Sequence, residues 1–277
     1  MNITKLFTSL CFVLGISFVV TAQSPINWQR LMLGKQTFEL HNVTGEIISF
    51  QRKKVLRIER DLKAITFDST NIEATVDEPH YAKLVDLNDF ENGTIEVKMY
   101  SQLQNPPPYA GIAGFIGVYF RVKEDDSAFE SIYLRPKVGR VNNQQYRNHT
   151  VQYFSYPHAK FDTLRKTAPG KYEGSAPVAL NEWITMRIEV NGETAEMFIN
   201  DMKYSTFIVE KMLGHNKKGG IGLYVDIGTI GYFRDLKITK RALKVKPKAR
   251  GLPFSTQQTL QILQNLRVMS ISIILLS

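Results

Sequence analysis

The chain has 277 residues, 43% of them hydrophobic, with 16 Phe and 12 Tyr, enough to bury a sizeable core in one large β domain or two small ones. Its formal charge of +9 is unevenly placed: residues 240–277 hold seven basic groups and no acid, and Lys5 is the only charge in residues 1–22, so residues 23–239 carry only +1. A nearly neutral body excludes a broad basic surface, and with it nucleic acid as a partner.

In chain order, residues 1–22 read as a secretory signal peptide: Lys5 forms the positive region, residues 6–20 the apolar core, and Val20-Thr21-Ala22 a small-residue cleavage site. The expected location is therefore secreted or periplasmic. Cys11, the only cysteine, lies inside this segment. A processed chain would have neither disulfide nor thiolate metal ligand, and its stability would rest on packing.

Residues 23–240 read as a run of strands. Short ones are expected at 38–40, 45–50 and 55–60, then a less regular stretch at 61–76, then a strand at 81–85. The central stretch, 90–135, alternates most clearly. Ile95, Val97 and Met99 alternate with Glu96, Lys98 and Tyr100; Ile116, Val118, Phe120 and Val122 with Gly117, Tyr119 and Arg121; Ile132 and Leu134 with Ser131, Tyr133 and Arg135. A period of two with one apolar face describes half-buried antiparallel strands. Pro106-Pro107-Pro108 forces a loop between the first two strands, and Asp125-Asp126-Ser127 reads as a hairpin connection between the second and third. Glu130 shares the parity of Ile132 and Leu134, but with the strand starting at Ser131 it is expected to remain exposed.

Residues 136–180 form a long irregular connection containing one clear strand at 151–154. Its content of rings and charges marks a functional segment or lid. Strands resume at 183–190, turn at Asn191-Gly192, continue through 195–199, and return at 220–226 and 232–239. About eleven strands with almost no helix predict an all-β fold, a two-sheet sandwich or jelly roll. Residues 241–277 read as a basic linker followed by a disordered or amphipathic tail. A membrane surface is a partner only through that tail, and 271–276 is too short to span a bilayer.

Several segments resemble a known family. Phe90-Glu91-Asn92-Gly93-Thr94-Ile95-Glu96-Val97 is similar to a strand of concanavalin A-like jelly rolls. Gly117-Val118-Tyr119-Phe120-Arg121-Val122, Tyr133-Leu134-Arg135-Pro136, Val151-Gln152-Tyr153, Leu164-Arg165 and Pro169-Gly170-Lys171-Tyr172-Glu173 resemble the bacterial branch grouped with the 3-keto-disaccharide hydrolase domain. So do Gly220-Ile221-Gly222-Leu223 and Tyr232-Phe233-Arg234-Asp235-Leu236. The resemblance spans roughly residues 38–239. It implies a concanavalin A-like jelly-roll β-sandwich of two antiparallel sheets and a protein that binds or acts on sugars.

Folding the 116–122 and 131–135 strands together would place two Tyr-x-Arg pairs on the non-core face. Tyr119, Arg121, Tyr133 and Arg135 are therefore candidate carbohydrate ligands: guanidinium groups donate to sugar hydroxyls, and phenol rings stack on pyranose faces. Ordinary cross-strand pairing explains the same residues. Gln152, Arg165 and Tyr172 from the long connection would wall the site. His158 and Glu173 are candidate bases.

No E-x-D-x-E strand is present, which counts against a glycanase with paired carboxylates. Asp226 stands alone. His41, His80, His149 and His215 lack metal-ligand spacing, and a hairpin turn accounts for Glu124-Asp125-Asp126, so neither metal nor cofactor is expected. Asn42, Asn92 and Asn148 head sequons that matter only in a eukaryotic secretory path. The reading is carbohydrate binding on a concave sheet. Its alternatives are the activity the resemblance implies, cleavage of 3-keto-glycosides by a hydrolase or lyase, and a non-catalytic structural or adhesion domain.

Overall fold

The computed structural model describes residues 28–242. The expected signal peptide and nearly all of the basic tail lie outside them. Two antiparallel sheets stack as a concanavalin A-like jelly-roll sandwich. The eight-stranded sheet has the order β1 (Arg30–Leu33), β2 (Gln36–His41), β5 (Tyr81–Leu84), β14 (Gly220–Val225), β7 (Ile116–Val122), β8 (Phe129–Leu134), β9 (Val151–Tyr156) and β10 (Glu173–Gly174). The seven-stranded sheet has the order β13 (Phe207–Val209), β12 (Thr194–Ile199), β11 (Trp183–Asn191), β6 (Gly93–Leu103), β15 (Thr229–Lys240), β4 (Lys53–Arg60) and β3 (Val43–Phe50). Three short helices sit in the connections: α1 (Ile72–Thr75), α2 (Gln144–Arg147) and α3 (Phe161–Thr167).

The seven-stranded sheet follows the expected alternation. Ile95, Val97 and Met99 of β6 and Ile184, Met186 and Ile188 of β11 are fully buried against the other sheet, and their neighbours in sequence, the buried Tyr100 apart, are half-exposed. Each such side chain contributes about 1.5–3 kcal/mol. That core stabilises a described chain with no cysteine.

In the eight-stranded sheet, β7, β8 and β14 are buried on both faces. The inner face carries Ile116, Val118, Ile132, Ile221 and Leu223. The register aligns Gly117 with Tyr133 and Tyr224, Tyr119 with Ser131 and Gly222, and Ser131 with Phe154 on the outer face. There Tyr119 stacks on Phe129 at 4.1 Å and on Tyr224 at 4.7 Å, and Phe154 meets Tyr119 and Tyr133 edge-on. Gly117 is required at this crowded face: a Cβ there would lie 2.4 Å from the Ile132 carbonyl oxygen. Residues 61–80, residues 104–115, α2 and α3 all contribute to the covering over these rings.

The structure overturns two expectations, one drawn from strand parity and one from a strand boundary. Arg121 does not join Tyr119 on the outer face. It is the extra residue of a β-bulge, where the β7–β14 register shifts between Gly220 and Ile221, and its φ is 53°. The bulge turns the side chain toward the opposite sheet. There its guanidinium donates to the carbonyls of Glu91 (2.7 Å) and Gly192 (2.7 Å), and Asn216 Nδ2 donates to its own carbonyl at 2.6 Å. Glu130 is not exposed, because β8 begins at Phe129. It accepts from Tyr153 Oη at 2.6 Å and Gly214 N at 2.9 Å. Burial pushes its carboxyl up, opposed by these donors and by Arg121.

Arg121 is thus a clamp across one end of the sandwich. Replacing it as Arg121→Met keeps most of its apolar stem but leaves two inter-sheet carbonyls unpaired. The expected loss is about 2–4 kcal/mol of unfolding free energy, read as a lower denaturation midpoint at unchanged m-value. An unaltered midpoint would show that the clamp does not hold the sheets.

Candidate functional site

The covering segments do not fill the outer face completely. They leave a cavity of about 320 Å³ over β8 and the end of β14. Its floor is made by Tyr133, Arg135, Asp226 and Ile227 from the sheet. Residues 61–80 contribute Phe67, Ile72, Val76 and Asp77, and residues 104–115 contribute Tyr109, Ala113 and Phe115. Tyr146 of α2, the adjoining His149, and Phe161 and Arg165 of α3 complete the wall.

Arg135 continues the outer-face parity of Tyr133 past the end of β8. It donates to Tyr133 Oη at 2.7 Å, Gln152 Oε1 at 3.2 Å and the His149 carbonyl at 2.7 Å, and lies 3.3 Å from Glu173 Oε1. Its carbon Cζ stands 4.9 Å from the Tyr133 ring centroid. The Tyr133 phenol therefore accepts from a cation, and its own proton has no acceptor among the described residues. That proton is available to something in the cavity.

Glu173 holds the arginines from behind. It accepts three hydrogen bonds from Arg165, at 2.5–3.1 Å, and stands 2.9 Å from His149 Nδ1. Burial pushes its carboxyl up, but Arg165 and Arg135 outweigh that and hold it below its usual range.

Two buried aspartates do not behave alike. Asp226 receives Arg60 Nη1 at 2.7 Å, Tyr224 Oη at 2.9 Å and Ile227 N at 2.6 Å, with His80 Nε2 at 3.3 Å. Burial opposes its ionisation, yet His80, Arg60 and the Ile227 N–H hold the carboxyl well below the usual carboxylate range. Asp77 has a φ of 56° and is 1% exposed. Its Oδ2 accepts from Phe161 N at 3.0 Å, and Oδ1 has no hydrogen-bond partner among the described residues. Burial first, and the Asp226 anion after it, raise its carboxyl from the ordinary 3.8 to about 7, despite the Phe161 N–H.

The fold separates the candidates read from the sequence. Tyr133, Arg135 and Arg165 line the cavity. Glu173 and Gln152 lie behind it as acceptors for the guanidiniums. Tyr119 is on the right face but is covered, its hydroxyl donating to the Glu78 carbonyl at 2.9 Å. Arg121 is on the wrong side, for the reason given above. Tyr172 turns away from Glu173 by strand alternation, packs near Tyr153 and donates to the Lys211 carbonyl at 3.1 Å. His158 is exposed in the turn after β9 and lines a separate depression with His215. Asp77 was missed: the polar run Asp77-Glu78-Pro79-His80 before a buried strand is its one trace in the sequence, and it does not tell which side chain turns inward.

The family described as the 3-keto-alpha-glucoside-1,2-lyase-like domain matches residues 50–239, and the chain belongs to it. No curated protein matches the chain. Among solved structures, a carbohydrate binding module, CBM66, from Bacillus subtilis aligns with TM-score 0.40 and 11% identity over 71% of this chain and 94% of that one. A β-glucanase of Bacillus licheniformis aligns with TM-score 0.38 and 12% identity over 80% and 95%. Domain 4 of an extracellular arabinanase from Geobacillus stearothermophilus, in complex with arabinotriose, aligns with TM-score 0.38 and 12% identity over 73% and 77%.

The raised Asp77 carboxyl has a consequence for stability. Between its unfolded value near 4 and its folded value near 7, the folded state binds a proton that the unfolded state has lost. This contribution to stability therefore falls as pH rises through that window. Asp77→Asn should flatten the slope and stabilise the protein above pH 7, by on the order of 4 kcal/mol at the three-unit shift. Melting curves at intervals from pH 4 to 8 measure it; identical slopes in both proteins would mean that Asp77 is not so perturbed.

Proposed function

We propose that this member of the 3-keto-α-glucoside-1,2-lyase-like family binds a 3-keto-glycoside in the cavity and eliminates its aglycone, with Asp77 as the base. The observation that carries the reading is a single titratable carboxyl, buried in a cavity wall, in a site that also presents a phenol polarised by a guanidinium. A volume of about 320 Å³ lies at the low end of small-molecule pockets, roughly 300–1,000 Å³, and suits one sugar ring better than a polymer.

The chemistry follows from the ketone. A carbonyl at C3 acidifies the hydrogen on C2. Asp77 takes that proton, and the C2–H electrons form an enolate whose charge rests on the C3 oxygen. The Tyr133 hydroxyl, backed by Arg135, donates to that oxygen as the charge develops. Collapse of the enolate restores C3=O, forms C1=C2 and breaks the C1–oxygen bond. The departing oxygen takes the proton Asp77 had gained, so the products are a free alcohol and a 1,2-unsaturated 3-keto sugar. Water adding across that double bond gives the 3-keto sugar. A base with its carboxyl near 7 is better matched to this proton than an ordinary aspartate. Export through the leader read in residues 1–22 would put this activity outside the cytoplasm.

With 3-keto-trehalose or a methyl 3-keto-glucoside, the protein should release the alcohol, and in D₂O it should exchange the C2 hydrogen. The rate should rise with pH through about 7 as Asp77 ionises. Asp77→Asn should lose at least about a thousandfold in turnover and the pH limb while still binding the ketone; base catalysis alone supplies roughly 10²–10⁴-fold. Retained turnover in Asp77→Asn would remove Asp77 from the role. Binding without release or exchange at any pH would reduce the site to recognition.

A further inference from the structure

We infer that the leaving group this site takes is a flat aromatic aglycone, and that Tyr146, Phe67 and Tyr109 select it. The inference rests on the reading of the cavity as a 3-keto-glycoside site and extends it to the other half of the substrate.

Asp77, Tyr133 and Arg135 are the polar groups of the cavity that a keto sugar would use. The covering segments also present rings: Phe67, Tyr109, Phe115, Tyr146 and Phe161. Phe67 and Tyr109 lean on one another at 5.3 Å between centroids, so two loops make one continuous wall. Arg165 lies 5.2 Å from the Phe161 centroid and directs Nε and Nη2 to Glu173.

A second sugar in this position would bring several hydroxyls to a wall made mostly of rings, where the Tyr109 and Tyr146 hydroxyls and Arg165 Nη1 are among the few polar atoms open to it. Each one left unpaired costs about 1–3 kcal/mol. An aromatic ring brings no such demand and gains from stacking. Tyr146 supplies the remaining surface. It is 59% exposed at the cavity mouth, on a helix of four residues, and among the described residues its ring meets no other ring and its hydroxyl makes no hydrogen bond. An exposed ring without a partner beside a ring-lined opening is a stacking platform.

The test compares benzyl with cyclohexylmethyl 3-keto-glucoside, whose alcohols differ little in acidity, and adds 3-keto-trehalose. Expected is a kcat/KM about tenfold higher for the benzyl compound than for either of the others. Tyr146→Ala should abolish that preference and Tyr146→Phe should keep it. Calorimetric binding of the same compounds to Asp77→Asn separates this inference from the lyase reading. Turnover of all three at similar kcat/KM overturns the aromatic selection and leaves the lyase standing. Absence of turnover, with tenfold tighter benzyl binding that Tyr146→Ala removes, upholds the aromatic selection and sinks the lyase. Equal binding without turnover overturns both.

Discussion

The buried contact between Arg60 and Asp226 is the constraint on which the site depends. Arg60 ends β4 in one sheet and Asp226 follows β14 in the other, so their 2.7 Å bond ties the two layers at the cavity end. The same guanidinium donates to the carbonyls of Ile65 and Thr66, and Asp226 Oδ2 stands 3.4 Å from the Asp77 backbone N–H. One ion pair therefore fixes where residues 61–80 lie, and so where Asp77 points. Its contribution to net stability is modest, because taking two charges out of water costs several kcal/mol each and their attraction little more than offsets that. The apolar layer between the sheets provides the stability. The pair provides position, and it places a permanent anion near Asp77.

The outer face of the eight-stranded sheet shows why the cavity is where it is. Most concave positions are occupied by rings: Tyr81, Tyr119, Phe129, Phe154 and Tyr224 pack on one another and under the loops. Their hydroxyls are satisfied within the protein, as in Tyr119 to the Glu78 carbonyl and Tyr224 to Asp226. These rings form a second core rather than an open binding surface. At Tyr133 the packing stops, because Arg135 and Glu173 bring charge that must reach solvent or a ligand. The cavity is the boundary between the aromatic layer and this charged group.

The architecture was legible in the sequence because a period of two survives wherever one strand face is apolar. The alternation of Ile95, Val97 and Met99, and that of Ile184, Met186 and Ile188, located β6 and β11 correctly. Tyr133, Arg135 and Arg165 were legible for the same reason, or because they stand in a segment too rich in rings and charge for a linker. Arg121 was not, since a bulge shifts parity by one residue and leaves no mark in composition. Glu130 was misplaced by a strand that starts two residues earlier than expected. Asp77 was hidden in an irregular stretch, where no periodicity tells which side chain turns inward. Its value depends on contacts made by Phe161 and Asp226, distant in sequence. The short strands β1, β10 and β13 carry too few residues for alternation to register.

The two aspartates also limit what chemistry the site can perform. Hydrolysis of a glycosidic bond by paired carboxylates needs both to be free to act, one giving a proton and the other attacking or activating water. Asp226 is not free: Arg60, Tyr224 and the Ile227 N–H occupy its oxygens, and its depressed carboxyl keeps it ionised across the physiological range. Glu173 is similarly held by Arg165. Asp77 alone combines an open oxygen with a carboxyl that titrates near neutrality. A site with one working carboxyl is matched to a substrate that has already been activated elsewhere in its ring, and a ketone at C3 is such an activation. On the proposed reading the oxidation that creates it precedes this protein, since the elimination itself neither gains nor loses electrons overall. Environments that drive two neighbouring aspartates apart in acidity thus account for how a site without the paired acids of a glycanase could still hold one working base.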